Sequence, residues 1–186
     1  MMRGSRPVPR KGKLVSHAGK TELAQERLRR RYRPPCVTLL FVGEAPPASG
    51  RFFYQADSGL YRAIRDTFVA VFPDLQDACF LQSFRDLDCY LVDLCARPVD
   101  RLGKEARQQE CADGEVRLGR MLKALQPRLV ITVVRSIADN VRRAQRMANW
   151  TGIHLELPYP GRWQRHRIAF QRSLAPVLHR ELRFRA

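Results

Sequence analysis

Four short apolar runs punctuate this chain, each leading into a segment whose apolar residues recur at helical spacing. The first, "CVTLLFV" (36–42), is continuous, rich in β-branched residues and bounded by Pro34-Pro35 and Gly43, the pattern of a strand covered on both faces. "DCYLVDLC" (88–95), "RLVITVV" (128–134) and "IHLEL" (153–157) read as three further strands. Between them, Leu60, Ile64 and Phe68 with Val71 and Phe72 form one helical stripe, and Leu118, Met121, Leu122 and Leu125 form another within 105–125. Helices are also predicted over 136–148 and roughly 166–182, the last bent or restarted at Pro176. Before the first strand, "KTELAQERLRRRY" (20–32) predicts a short basic helix with Thr21 as its N-cap and a stop at Pro34 and Pro35. Residues 1–19 lack periodicity and read as a mobile basic tail, leaving 20–186 as one domain.

Strand alternating with helix four times requires crossover connections. The expected fold is therefore α/β, with a mainly parallel sheet and helices on both faces. In such sheets ligands bind outside the carboxyl ends of the strands. Four loops should thus converge: Gly43 to Tyr54, Asp93 to Pro98, Arg135 and Ser136, and Pro158 to His166.

Charge sharpens this picture. The net charge of +16 is unevenly spread: eleven Arg and Lys against two Asp and Glu in residues 1–33, thirteen against thirteen in 34–135, and ten against three in 136–186. A neutral body with two basic ends points to a polyanion, nucleic acid first. No apolar run reaches the roughly 18 residues of a membrane span, and "MMRGSRPVPRKGK" has no apolar stretch of signal-peptide type, so a cytoplasmic protein with no membrane partner is expected. Five cysteines, none at Cys-x-x-Cys spacing and several within apolar runs, read as reduced structural thiols, with no metal site.

Candidate chemistry lies in the predicted loops. In "LLFVGEAPPASGRFFY" (39–54), Gly43 allows a sharp turn, Pro46 and Pro47 stiffen it, and Glu44 is held at the sheet edge beside Phe52, Phe53 and Tyr54. A fixed carboxylate next to aromatic rings can hold an extruded base by hydrogen bonds and stacking. Asp93, embedded in "YLVDLC", needs a partner if buried; neutral it could donate to a base carbonyl, ionised it could accept from an exocyclic amine. In "PYPGRWQRHR", Gly161 allows close approach, Trp163 can stack or wedge, and Arg162, Arg165 and Arg167 can take phosphates, as can Arg135 beside Ser136. The phosphate-cradling patterns Gly-x-Gly-x-x-Gly and Gly-x-x-x-x-Gly-Lys-Ser/Thr do not occur, which argues against a nucleotide-cofactor enzyme.

"VGEAPPASGRFF" with "SGLYRAI", "VDLCARP" and "LQPRLVITVVRSIADNV" resemble the uracil-DNA glycosylase superfamily, in the branches whose first motif reads Gly-Glu-Ala-Pro. The resemblance spans roughly 36–180, and Gly43, Glu44, Ala45 and Pro46 are its most specific part. It implies a three-layer α/β/α sandwich with a four-stranded parallel sheet; a monomer acting on single- or double-stranded DNA is expected. The implied reaction is cofactor-free hydrolysis of the N-glycosidic bond of uracil or a related deaminated base. By position, Glu44 would bind or activate the attacking water, Phe53 would stack on the base with Tyr54 nearby, and Asp93 would stand close to where other members read the base edge with Asn.

Two features depart from the family. Tyr159-Pro160-Gly161 stands where a His-Pro-Ser type motif is expected. Loss of one such donor typically costs about 10²–10³ in rate. Either Tyr159 or His166 substitutes, or the base differs, or the protein binds nucleic acid without uracil excision. The iron-sulfur cysteines common in these branches are also missing, since only Cys36 precedes the first motif.

Overall fold

The computed structural model describes residues 17–75, 77–161 and 163–182. Its centre is a four-stranded, all-parallel sheet in the order β2-β1-β3-β4, formed by β1 (Leu39–Gly43), β2 (Cys89–Asp93), β3 (Leu129–Thr132) and β4 (Ile153–Glu156). The strands are shorter than the apolar runs that announce them, because pairing stops where the chain turns into the connecting loops. Leu39 pairs with Cys89 and Leu129, and Gly43 with Asp93. Every residue of β1, β2 and β3 is buried, whereas Ile153 of the edge strand β4 is exposed.

Helices α1 (His17–Arg31), α2 (Gly59–Val71), α3 (Phe80–Asp86), α4 (Lys104–Leu125), α5 (Ala138–Ala148) and α6 (Gln164–Glu181) surround the sheet. α2 packs on α6, and α4 packs on α5. Side chains alternate along a strand. Phe41 turns toward α2 and α3, where the rings of Phe68 and Phe84 lie 6.5 and 5.5 Å away. The α4–α5 pair carries a buried polar tie, with Asn140 and Arg143 both donating to the Glu115 carboxylate at 2.7 and 2.8 Å.

Two local details depart from the sequence reading. α1 begins at His17, so Thr21 lies inside the helix rather than capping it, and residues 1–16 of the expected tail lie outside the described residues. α3 is an element the apolar pattern does not announce; its Phe80 and Phe84 share one face at i and i+4, and both are buried with Leu81. α2 is capped by Ser58, the residue before its first turn, whose hydroxyl accepts from the Tyr61 amide at 3.1 Å. α6 runs through Pro176 without restarting.

The chain leaves β1 toward β2 on one side and reaches β3 on the other, so the crossover direction reverses at β1. That reversal opens a crevice at the carboxyl ends of β1 and β3. Among the described residues, no helix is long and apolar enough to cross a membrane.

Candidate functional site

The crevice is a cleft of about 720 Å³, within the range of roughly 300–1,000 Å³ common for small-molecule sites. Its walls come from all four strand ends: Gly43 to Pro47 after β1, Asp93 at the end of β2, Val133 and Val134 after β3, and Tyr159, Gly161 and Arg167 after β4. Phe52 and Phe53 complete the aromatic side.

Backbone hydrogen bonds continue past the strands and fix this arrangement. The Leu94 amide donates to the Gly43 carbonyl at 2.8 Å, and the Cys95 amide to the Glu44 carbonyl at 2.7 Å. The rest of the first loop is pinned by carboxylates: Ala48 donates to Asp100 at 2.9 Å and Phe52 to Asp57 at 2.7 Å. Proline pair, backbone zipper and side-chain anchors thus hold Glu44 at one position on the cleft wall.

Glu44 does not stand free. The Arg107 guanidinium, from the first turn of α4, donates to both of its oxygens, through Nε at 2.7 Å to Oε1 and through Nη2 to Oε2. The Arg107 side chain is 44% exposed and that of Glu44 16%, so the clamp closes from the solvent side. Cys111 approaches Glu44 Oε1 at 3.9 Å and Cys95 Sγ at 3.6 Å. Burial pushes the Cys95 thiol far up, which suits a small hydrophobe better than a nucleophile. Among the described residues, no three or more His, Cys, Asp or Glu are grouped to hold a metal ion.

Asp93 is buried at the floor of the cleft. Its Oδ2 accepts a 2.7 Å hydrogen bond from Arg29 of α1, while its Oδ1 lies so near Gly43 that a Cβ on that glycine would stand only 2.7 Å away. A side chain here would have to displace the carboxylate, so it is this close approach that calls for Gly43; its backbone is outside the left-handed region, and the turn expected from the sequence does not itself require glycine. Burial pushes the Asp93 carboxyl above its ordinary value, and the Arg29 and Arg117 guanidiniums pull it back. Arg29 also sits 5.3 Å from the centre of the Phe52 ring, and Arg117 donates to the Asp93 and Leu94 carbonyls.

The other candidates divide. Ala45, Pro46 and Phe53 line the cleft, although Phe53 is only 3% exposed among Tyr54, Tyr61 and Phe84. Tyr54 is not on the cleft wall. It is a core residue whose hydroxyl donates to the Leu91 carbonyl at 3.0 Å and accepts from the Leu91 amide at 2.8 Å, closing the open edge of β2. A ring so placed cannot also stack on a ligand. Tyr159, 53% exposed, stands at the rim with Arg167. His166 packs against Gly161 rather than lining the cleft, its Nδ1 about 3.0 Å from where a Cβ on that residue would lie. Trp163, 68% exposed, and Arg165 stand on the surface near the start of α6, and Arg135 and Ser136 are exposed just beyond Val134. Arg162 lies outside the described residues.

Sequence reasoning missed Arg29, Arg107 and Arg117. The Glu26–Arg29 spacing within α1 is visible as a local pair, but nothing local signals a bond from Arg29 to a carboxylate 64 positions away. Arg51, Arg62 and Arg167 line the mouth without a carboxylate partner among the described residues. A second depression, of about 800 Å³, lies between α1 and α4, lined by Arg29, Arg30, Arg33 and Arg117, and shares Pro46 with the first. A scan against protein-family models finds no match for this chain, and no curated protein matches it.

Proposed function

We propose that this protein is a DNA glycosylase-like hydrolase that takes an extruded base into the cleft and cleaves its N-glycosidic bond. The observation that carries the reading is the meeting of Glu44, Asp93 and the Phe52–Phe53 wall in one cleft rimmed by Arg51, Arg62 and Arg167. A carboxylate and a polar floor suit the hydrogen-bonding edge of a base, the largely buried Phe52 and Phe53 add apolar wall rather than an open stacking face, and arginines at the mouth without carboxylate partners suit the phosphates flanking it. The resemblance of Gly43-Glu44-Ala45-Pro46 to the first motif of uracil-DNA glycosylases supports the same chemistry.

In that reaction the bond from C1′ to the base nitrogen breaks with its electron pair leaving on the base. The sugar becomes oxocarbenium-like, and water adds at C1′. Glu44 would stabilise the cationic sugar and accept the proton of the water. The Arg107 clamp leaves a second lone pair on each oxygen for the water but lowers the basicity of the carboxylate, and a DNA phosphate arriving at that exposed guanidinium would loosen the clamp. Of the two residues considered for the missing histidine, Tyr159 fits better than His166, because it lines the rim where its hydroxyl can donate to the departing base.

The bidentate hold on Glu44 also favours a second reading, a protein that binds the extruded base and does not cut. Oligonucleotides each carrying one test base, treated with alkali to reveal abasic sites, separate the two. The first reading expects strand breaks that Glu44→Gln lowers by about 10²–10⁴. Breaks unaffected by that change would remove Glu44 from the chemistry, and no breaks with any base would leave the binding reading.

A further inference from the structure

Asp93 carries the next step, because its surroundings limit which base edges it can meet. Its side chain is about nine-tenths buried, and its two oxygens are unlike. Oδ2 is engaged by the Arg29 guanidinium at 2.7 Å; among the described residues no donor is placed on Oδ1, which lies over Gly43 at the cleft floor. Burial raises this carboxyl above its ordinary value, but a guanidinium at that distance, itself backed by Glu26 and by the face of Phe52, opposes the shift and favours the ionised form. An ionised carboxylate is acceptor-only. Oδ1 can therefore take a hydrogen bond and cannot give one.

Nucleobase edges differ in what they offer such a group. Cytosine, adenine and guanine each carry an exocyclic amine, and the pairing of Asp or Glu with the cytosine amine is a standard base contact. Uracil has no amine; its single ring N–H is flanked by two carbonyl oxygens, either of which would face the carboxylate as a like-charged neighbour. The same holds for the carbonyl beside the ring N–H of hypoxanthine. A side-chain amide would serve those edges, since it offers a donor and an acceptor together.

We propose that the cleft selects a base that keeps its exocyclic amine, and that the Arg29–Asp93 pair is the specificity device. The inference rests on the base-pocket reading above and changes its substrate class, from deaminated bases to amine-bearing ones. Arg29 acts here as a positioning residue: it fixes the protonation state and the orientation of Asp93 without touching the base.

The test measures binding of deoxycytidine, deoxyadenosine, deoxyuridine and deoxyinosine to the full chain by ligand-observed NMR or calorimetry. The amine-bearing nucleosides are expected to bind about tenfold or more tighter, the range for one good base contact. Asp93→Asn is expected to reverse the order toward deoxyuridine. Because that change removes the more buried of the two carboxylates on Arg29, the double variant Arg29→Met/Asp93→Asn is measured beside it, with circular dichroism to show that both fold. Deoxyuridine binding as tightly as deoxycytidine to the unaltered protein, or an order of preference unchanged in the folded variants, would overturn the proposal. Binding of no nucleoside at all would overturn the base-pocket reading itself, a different result from a pocket with the wrong preference.

Discussion

Replacing Asp93 by Asn leaves the buried Arg29 guanidinium with the half-exposed Glu26 as its remaining carboxylate, a loss expected to cost up to about 3–5 kcal/mol of stability. Removing both charges, as Arg29→Met/Asp93→Asn, is expected to recover part of it, since no buried charge is then left without its partner, although the new amide still needs hydrogen-bond partners. Urea unfolding of the three proteins checks both expectations. If the double variant is as unstable as the single one, the pair is a structural tie in its own right. At this scale the sequence is partly legible: Glu44 and Asp93 can be placed at strand ends from the apolar runs alone. Their arginine partners cannot, because Arg29 and Arg107 reach them across 64 and 63 positions of chain. Tyr54 departs from its expected place for a related reason. All three rings of the triplet are buried, and Tyr54 alone carries a hydroxyl, which the free edge of β2 claims.

Among the elements, β2 and β4 are the sheet edges, and each is managed differently. On β2 one tyrosine hydroxyl satisfies both backbone groups of Leu91, and Tyr32, just after α1, stacks on the same ring at 5.6 Å. Tyr54→Phe keeps the ring and removes the hydroxyl, leaving two buried groups unpaired; a loss of about 1–3 kcal/mol is expected, with faster amide exchange at Leu91. On β4, His154 is half-buried, and its Nε2 lies 2.7 Å from the Thr132 hydroxyl on β3. Burial holds this imidazole below its ordinary 6.5; Glu156 opposes the shift and Arg142 adds to it. The unfolded chain therefore takes up the proton first as pH falls. The stability contributed by neutral His154 is fully present above about pH 6.5 and is lost as pH drops from there through the lower folded value. Denaturation midpoints measured across that window should fall more steeply for the native protein than for His154→Gln. The helices and strands themselves are legible from periodicity, with one exception. α3 is seven residues long, too short for its repeat to stand out from the surrounding loop.

For the molecule as a whole, the charge distribution makes a prediction that is independent of the chemistry. Residues 1–16 contain Arg3, Arg6, Arg10, Lys11 and Lys13. If these meet DNA phosphates, deleting 1–16 should weaken binding and flatten the slope of log K against log[salt] by up to about 0.7–0.9 for each phosphate no longer neutralised. An unchanged slope would assign that charge elsewhere. The basic rim of the cleft, with Arg51, Arg62 and Arg167, should still bind, since these residues sit on separate segments of the folded body. The convergence of loops at the carboxyl ends of a parallel sheet follows from topology. That α1 delivers an arginine to the carboxylate at the cleft floor, from the side of the second depression, does not, because a basic helix next to a basic tail reads as a surface element.

The most direct test of the central claim is an amide shift map of the labelled protein titrated with a single-stranded oligonucleotide. If the cleft takes a base, the largest changes fall together on Gly43, Glu44, Asp93, Val134 and Gly161, residues far apart in sequence and joined by the cleft. Changes confined to the outer surfaces of α5 and β4, with those five amides unmoved, would contradict it.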